Sequence, residues 1–209
     1  MKQFKFEYTD AEIFNNKLEE FKTWCNSNNI FKMMFQVYSE VLETDTLDAV
    51  CSVIKRIFPG TLYMGCSTSG NIIDCQLSSV ITVVCTVFEF ESTQFSISQY
   101  DLTKDSIDNI TASIVEETRT WSWVKAIEIF CTIPENSSTR FCDGLKDIRQ
   151  DIQIFGGVAC SDDITSDLSC VFSKGGEYSG RSIVIIFYGG DDFYVDSINV
   201  TGWKPLGRK

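Results

Sequence analysis

Histidine is absent from all 209 residues, and this removes more chemistry than any residue present suggests. Without imidazole there is no Ser-His-Asp triad, no Cys-His dyad and no His-ligated zinc site. Basic charge is scarce as well. Lys and Arg total 18 against 29 Asp and Glu, a net of −11, and no Lys/Arg cluster exceeds two residues. Such a field repels phosphate backbones and anionic bilayers, so neither nucleic acid nor a membrane is expected as a partner. No apolar run approaches the ~18–20 residues of a membrane helix. Met1–Asp10 lacks the hydrophobic stretch of a signal peptide. With 3 Pro, 13 Gly, 44% hydrophobic and 22% charged residues, the composition is that of an ordinary globular protein.

Nine cysteines are present at 25, 51, 66, 75, 85, 131, 142, 160 and 170. Neighbours are at least nine residues apart, so no C-x-x-C redox or zinc motif exists. Most sit in apolar runs such as Val83-Val84-Cys85-Thr86-Val87, as small hydrophobes do in a reducing cytoplasm. A soluble, cytoplasmic chain is expected, with no metal and no cofactor.

The patterning is α/β. Thr9-Asp10-Ala11-Glu12 has capping-box spacing and precedes a helical stripe of Ile13, Phe14, Leu18, Phe21, Trp24 and Cys25. Phe31, Met33, Phe35 and Val37 alternate as a strand, and Leu47, Val50, Cys51, Ile54, Ile57 and Phe58 mark a second helix stopped by Pro59-Gly60. Thr61–Met64 reads as a short strand running into the polar loop Gly65–Gly70. Val80–Phe90 reads as a strand buried on both faces, and Phe95–Tyr100 as a closing strand. After a helix within Asp101–Thr120 the series starts over. Val124–Cys131 is a strand, Ser138–Arg149 a helix and Ile152–Phe155 a short strand, leading into Gly156–Asp163. Cys170–Ser173, Arg181–Tyr188 and Phe193–Val200 complete it, with Gly189-Gly190-Asp191-Asp192 as a hairpin turn. Residues 1–209 thus read as a single domain with internal repeats at about 31–100 and 124–200, Gly65 aligning with Gly156. The expected fold is an α/β (α+β) sandwich. Its sheets are mixed but mostly antiparallel, built from a duplicated strand-helix-strand-strand unit with helices on the outer faces.

Two loops are candidate sites. Gly65, Cys66, Ser67, Thr68, Ser69 and Gly70 combine backbone freedom with three consecutive hydroxyls that can donate to a carboxylate; without a Gly-Lys-Ser/Thr ending this is not a P-loop. Gly156 and Gly157 open the second loop and Asp162 and Asp163 close it, offering acceptors to an ammonium group. Each loop equally reads as a capped turn. Cys66 and Cys160 are the best nucleophile candidates, but neither has an activating base nearby in sequence.

Gly65-Cys66-Ser67-Thr68-Ser69-Gly70 resembles the G-C-S-T-x-G element of the FIST N-terminal domain. Phe155-Gly156-Gly157-Val158-Ala159 resembles that family's second glycine loop, although here Cys160-Ser161 precede the acidic pair. Gly202-Trp203-Lys204-Pro205-Leu206-Gly207 resembles its closing G-W-x-P-L-G segment. The resemblance implies an intracellular sensory module, not an enzyme, that takes a small, amino-acid-like ligand. It also implies a FIST C-terminal domain and a signalling output domain in cis. A protein-interaction scaffold without ligand, or a carboxylate- or Cys-dependent enzyme, are the alternative readings.

Overall fold

The computed structural model describes residues 1–40, 43–132, 138–161, 169–176 and 178–198. Two sheets lie face to face with a pair of helices on each outer side, giving four layers in the order α/β/β/α.

The first half opens with β1 (Lys2–Tyr8) and α1 (Ala11–Ser27). Asp10, rather than Thr9, caps this helix, its carboxylate accepting from the N–H groups of Glu12 at 2.8 Å and Ile13 at 3.2 Å. β2 (Lys32–Ser39), α2 (Thr44–Ile57) and β3 (Leu62–Ser67) follow. A small hairpin comes next, β4 (Asn71–Ile73) and β5 (Gln76–Ser78), and then β6 (Ile81–Phe88). The second half runs β7 (Gln94–Asp101), α3 (Ile107–Thr120), β8 (Val124–Cys131), α4 (Ser138–Gly144), a 3-10 turn at Leu145–Asp147, and β9 (Gln153–Val158). It ends with β10 (Val171–Ser173) and β11 (Ser182–Gly189).

The first sheet has the order β1-β6-β2-β3-β10 and the second β7-β11-β8-β9. In each, the long central strand pairs antiparallel on both sides, and the helix-linked pair, β2/β3 or β8/β9, is parallel. Gly65 lies beside Val37 in one parallel pair, and Gly156 beside Ile129 in the other. The register therefore matches Gln36 with Glu128 and Met34 with Ala126 between the sheets. Thr86, opposite Met34, then matches Tyr188, opposite Ala126.

Alternation sorts the side chains. Met33, Phe35 and Val37 pack against α1 and α2, and Ile127, Ile129 and Cys131 against α3 and α4. Met34, Met64, Cys66, Ala126, Phe130, Val184 and Ile186 fill the space between the sheets. The near-continuous apolar runs of β6 and β11 have this cause: both strands are central and covered on both faces.

Four expectations are corrected. Gln94–Asp101 does not close the first unit but hydrogen-bonds to β11 in the second sheet. Conversely, Val171–Ser173 leaves its own half and adds to the edge of β3. Phe193–Ile198 is not a strand, so Gly189–Asp192 is no hairpin turn; Lys125 Nζ holds the carbonyls of Asp191 and Phe193 at 3.1 and 3.0 Å, bending the chain away from the sheet. Finally, β1 and the β4–β5 hairpin are elements that the sequence reading left out, although Phe4, Phe6 and Tyr8 alternate plainly in β1.

Candidate functional site

The two Gly-led segments are strand ends as much as loops, and they do approach each other. Gly65, Cys66 and Ser67 belong to β3, and Gly156 and Gly157 to β9. Ser67 accepts at its carbonyl from the N–H of Cys160 at 3.3 Å; its own N–H donates to Cys170 O at 2.9 Å, and its hydroxyl accepts from Cys170 N–H at 3.0 Å. Ser67 is only 2% exposed, and its polar atoms are spent on holding β10 and the Cys160 segment together. Thr68 is also engaged, its hydroxyl donating to Asn71 Oδ1 at 3.1 Å while Asn71 Nδ2 donates to Val80 O at 3.0 Å. Ser69 is exposed. Asp162 and Asp163, and the Gly202–Gly207 segment, lie outside the described residues.

Two of the glycines, Gly65 and Gly156, have packing reasons, whereas a Cβ on Gly157 would meet nothing within 4 Å. A Cβ on Gly65 would sit 2.1 Å from Cζ of Phe172, whose ring lies across the strand. Gly156 combines a φ of +137° with an approach of 2.0 Å between a would-be Cβ and Ile129 O. Cys66 faces the inter-sheet layer and is 5% exposed. Burial pushes its thiol up to about 12, the reverse of what a nucleophile needs. Cys160 is exposed, and its Sγ contacts Val158 O at 3.4 Å. Among the described residues, no cluster of three Cys, Asp or Glu has metal-binding geometry.

A cleft of about 480 Å³ opens instead at the other end of the inter-sheet layer, where β6 and β11 finish and β2 and β8 begin. Its floor is a three-residue hydrogen-bonded group. Glu128 Oε2 accepts from Tyr188 Oη at 2.7 Å and from Gln36 Nε2 at 3.1 Å. Glu128 and Gln36 are the register-matched pair, so the sheets present the same position to each other at this point. Thr86, accepting from Gln3 Nε2 at 3.2 Å, lines the first-sheet wall. Tyr188 is sandwiched between nearly parallel rings, Phe155 at 6.5 Å and Phe193 at 6.0 Å. Phe88, Phe90 and Tyr194 complete an aromatic wall. Two rim loops are clasped together by Ser92 Oγ donating to Asp192 at 2.7 Å. Lys32 and Lys125 each hold backbone carbonyls of one rim loop.

Burial pushes the Glu128 carboxyl above its ordinary 4.5, although the hydrogen bonds from Tyr188 and Gln36 oppose the shift. The same burial and the neighbouring carboxylate push the Tyr188 and Tyr38 hydroxyls upward. Both tyrosines therefore stay protonated, Tyr188 as the donor to Glu128. A second cleft of about 480 Å³ lies beside Gly70, where Asn71 is bonded as above and Lys5 pairs with Asp74 at 2.9 Å and Glu7 at 3.5 Å.

The sequence reading missed Glu128, Gln36, Thr86, Tyr188 and Phe155. Gln36, Thr86 and Glu128 occupy the polar half of period-2 strands, which in a two-layer protein faces water. The available signal covered Thr86 alone, whose strand, Val80–Phe90, is expected from sequence to be buried on both faces; the strands of Gln36 and Glu128 read as simple alternation.

No curated protein matches the chain. The FIST N domain profile matches residues 34–209, covering both parallel strand pairs, both Gly-led segments and most of the cleft. FIST N domains are sensory domains of signal-transduction proteins. By this match over most of its length, the chain belongs to the FIST N domain family.

Proposed function

We propose that this domain is an input module that binds a small polar metabolite, amino acids among the candidates, in the cleft floored by Glu128. The observation that carries this reading is the convergence of Glu128, Gln36 and Tyr188 on one cleft with an aromatic wall. Ligand sites have this character: mostly apolar, concave, with a few placed polar groups, in a volume of roughly 300–1,000 Å³. The cleft takes Gln36 and Thr86 from the first sheet and Glu128 and Tyr188 from the second. A ligand touching both biases how the sheets pack, which supplies the unequal binding to two states that signalling requires. The Gly-led segments, on this reading, lock the opposite end of the layer through backbone and hydroxyl bonds. All nine cysteines are free thiols, which fits a cytoplasmic setting. Among the described residues no helix is long and apolar enough to cross a membrane.

The test is calorimetry of the protein with a metabolite panel, repeated on Gln3→Trp. Gln3 is exposed at the mouth but also borders the second cleft, so the indole obstructs both. Lys5→Trp, at a residue that borders only the second cleft, is the control that must still bind. Saturable binding lost in Gln3→Trp supports the site, whereas binding that survives the indole refutes it. A docking role is favoured by a separate observation: Ile72 and Leu77, cross-strand partners in the β4–β5 hairpin, are 82% and 78% exposed.

A further inference from the structure

The charge around the cleft narrows the ligand. No Lys or Arg side chain lines it, while Glu128, Glu89, Asp192 and Asp196 do. The nearby cations are committed elsewhere. The Met1 α-ammonium and Lys2 both pair with Glu89, at 3.1 and 3.0 Å, and Lys32 and Lys125 bond to backbone carbonyls of the rim loops. Both hydrogen bonds to Glu128 fall on Oε2, so Oε1 meets no donor among the described residues. A half-buried carboxylate with one oxygen open to the cleft and free of donors among the described residues is a seat for a donor carrying positive charge. The surrounding rings supply the matching walls. Tyr188, Phe155, Phe193, Phe88 and Phe90 present aromatic surface to the cleft, and a ring face attracts a cation within about 6 Å of its centroid.

Resting on the reading of the cleft as the ligand site, we propose that its ligand is an organic amine: the ammonium seats on Glu128 Oε1 and an apolar or aromatic body packs against the rings. A free α-carboxylate is disfavoured there, because it would face Glu128 and Asp196 with no cationic side chain in the lining and with the Met1 α-ammonium already paired to Glu89. The cleft therefore distinguishes an amine from the amino acid that yields it on decarboxylation.

The experiment compares matched pairs differing only by that carboxylate, phenethylamine with phenylalanine and agmatine with arginine, by calorimetry on the whole chain. At least one amine is expected to bind tenfold or more tightly than its parent amino acid. Glu128→Gln is expected to weaken that amine at least tenfold while its melting temperature shows that it remains folded. Amine affinity unchanged in Glu128→Gln overturns the proposal, as does an amino acid binding as tightly as its amine. Failure of both amines to bind at millimolar concentration overturns it too. An amino acid whose binding disappears in Gln3→Trp would refute the amine assignment yet leave the cleft as the site. Binding indifferent to Gln3→Trp removes both.

Discussion

Replacing Gly65 with Ala isolates why this motif begins with glycine. The backbone there does not have positive φ, so a methyl group introduces no conformational strain of the kind expected at Gly156. What it meets is Phe172: Cζ at 2.1 Å and Cε1 at 2.5 Å, in a ring that is itself 2% exposed and held against Tyr178 with centroids 4.6 Å apart. The ring cannot swing aside without losing that contact. The expected cost is therefore that of overpacking a filled core, about 1–3 kcal/mol. Phe172→Ala alone opens a cavity beside Tyr178 and should cost about 3–5 kcal/mol. In the double variant the methyl occupies space that the ring vacated. Its total should then fall short of the sum of the two single variants by more than 1 kcal/mol, well beyond the ~0.5 kcal/mol within which independent sites add. Urea unfolding followed by tryptophan fluorescence, with equal m values across the four proteins, measures each quantity. Additive costs would mean that Gly65 is required for some reason other than the Phe172 ring, and the packing explanation would fall.

Two further outcomes follow from burial. Glu128 has its pKa raised in the fold, so the native state holds this proton more tightly than the unfolded chain does. Stability conferred relative to an uncharged side chain is therefore greatest below pH 4.5 and is lost as pH rises through the folded value. The melting temperature of Glu128→Gln minus that of the unaltered protein should climb from pH 4 to pH 7, and a flat or falling difference contradicts the desolvation argument. Native maleimide labelling should modify Cys75, Cys142 and Cys160, which are exposed, well before Cys25, Cys51, Cys66, Cys85 and Cys131, which are buried. Mass spectrometry showing Cys66 labelled as fast as Cys160 would contradict its assigned position between the sheets.

The helices and most strands were legible because each obeys a local rule. The stripe Phe14–Leu18–Phe21–Cys25 can only be a helix face, and Phe35 and Val37 lie on one side of a strand because side chains alternate. The glycine motifs were legible, read as places of backbone freedom. Their purpose was not, since Phe172 reaches Gly65 from 107 positions along the chain and Ile129 reaches Gly156 from a neighbouring strand. The three-residue hairpin strands escaped notice because Asn71–Ser78 is too short for a period to show, and its turn uses Asp74 and Cys75 at positive φ rather than glycine.

The amino-acid order by itself determined an acidic, histidine-free α/β chain with two similar strand-helix-strand series, because composition and periodicity are properties of neighbours in sequence. Where the site lies was decided by the stacking of the two sheets. That stacking turned the polar half of each strand's alternation from solvent toward the opposing layer, and so brought Gln36 within 3.1 Å of Glu128. Side-chain alternation says which residues share a face; only the partner packed against that face decides whether a carboxylate on it is solvated or becomes the floor of a cleft.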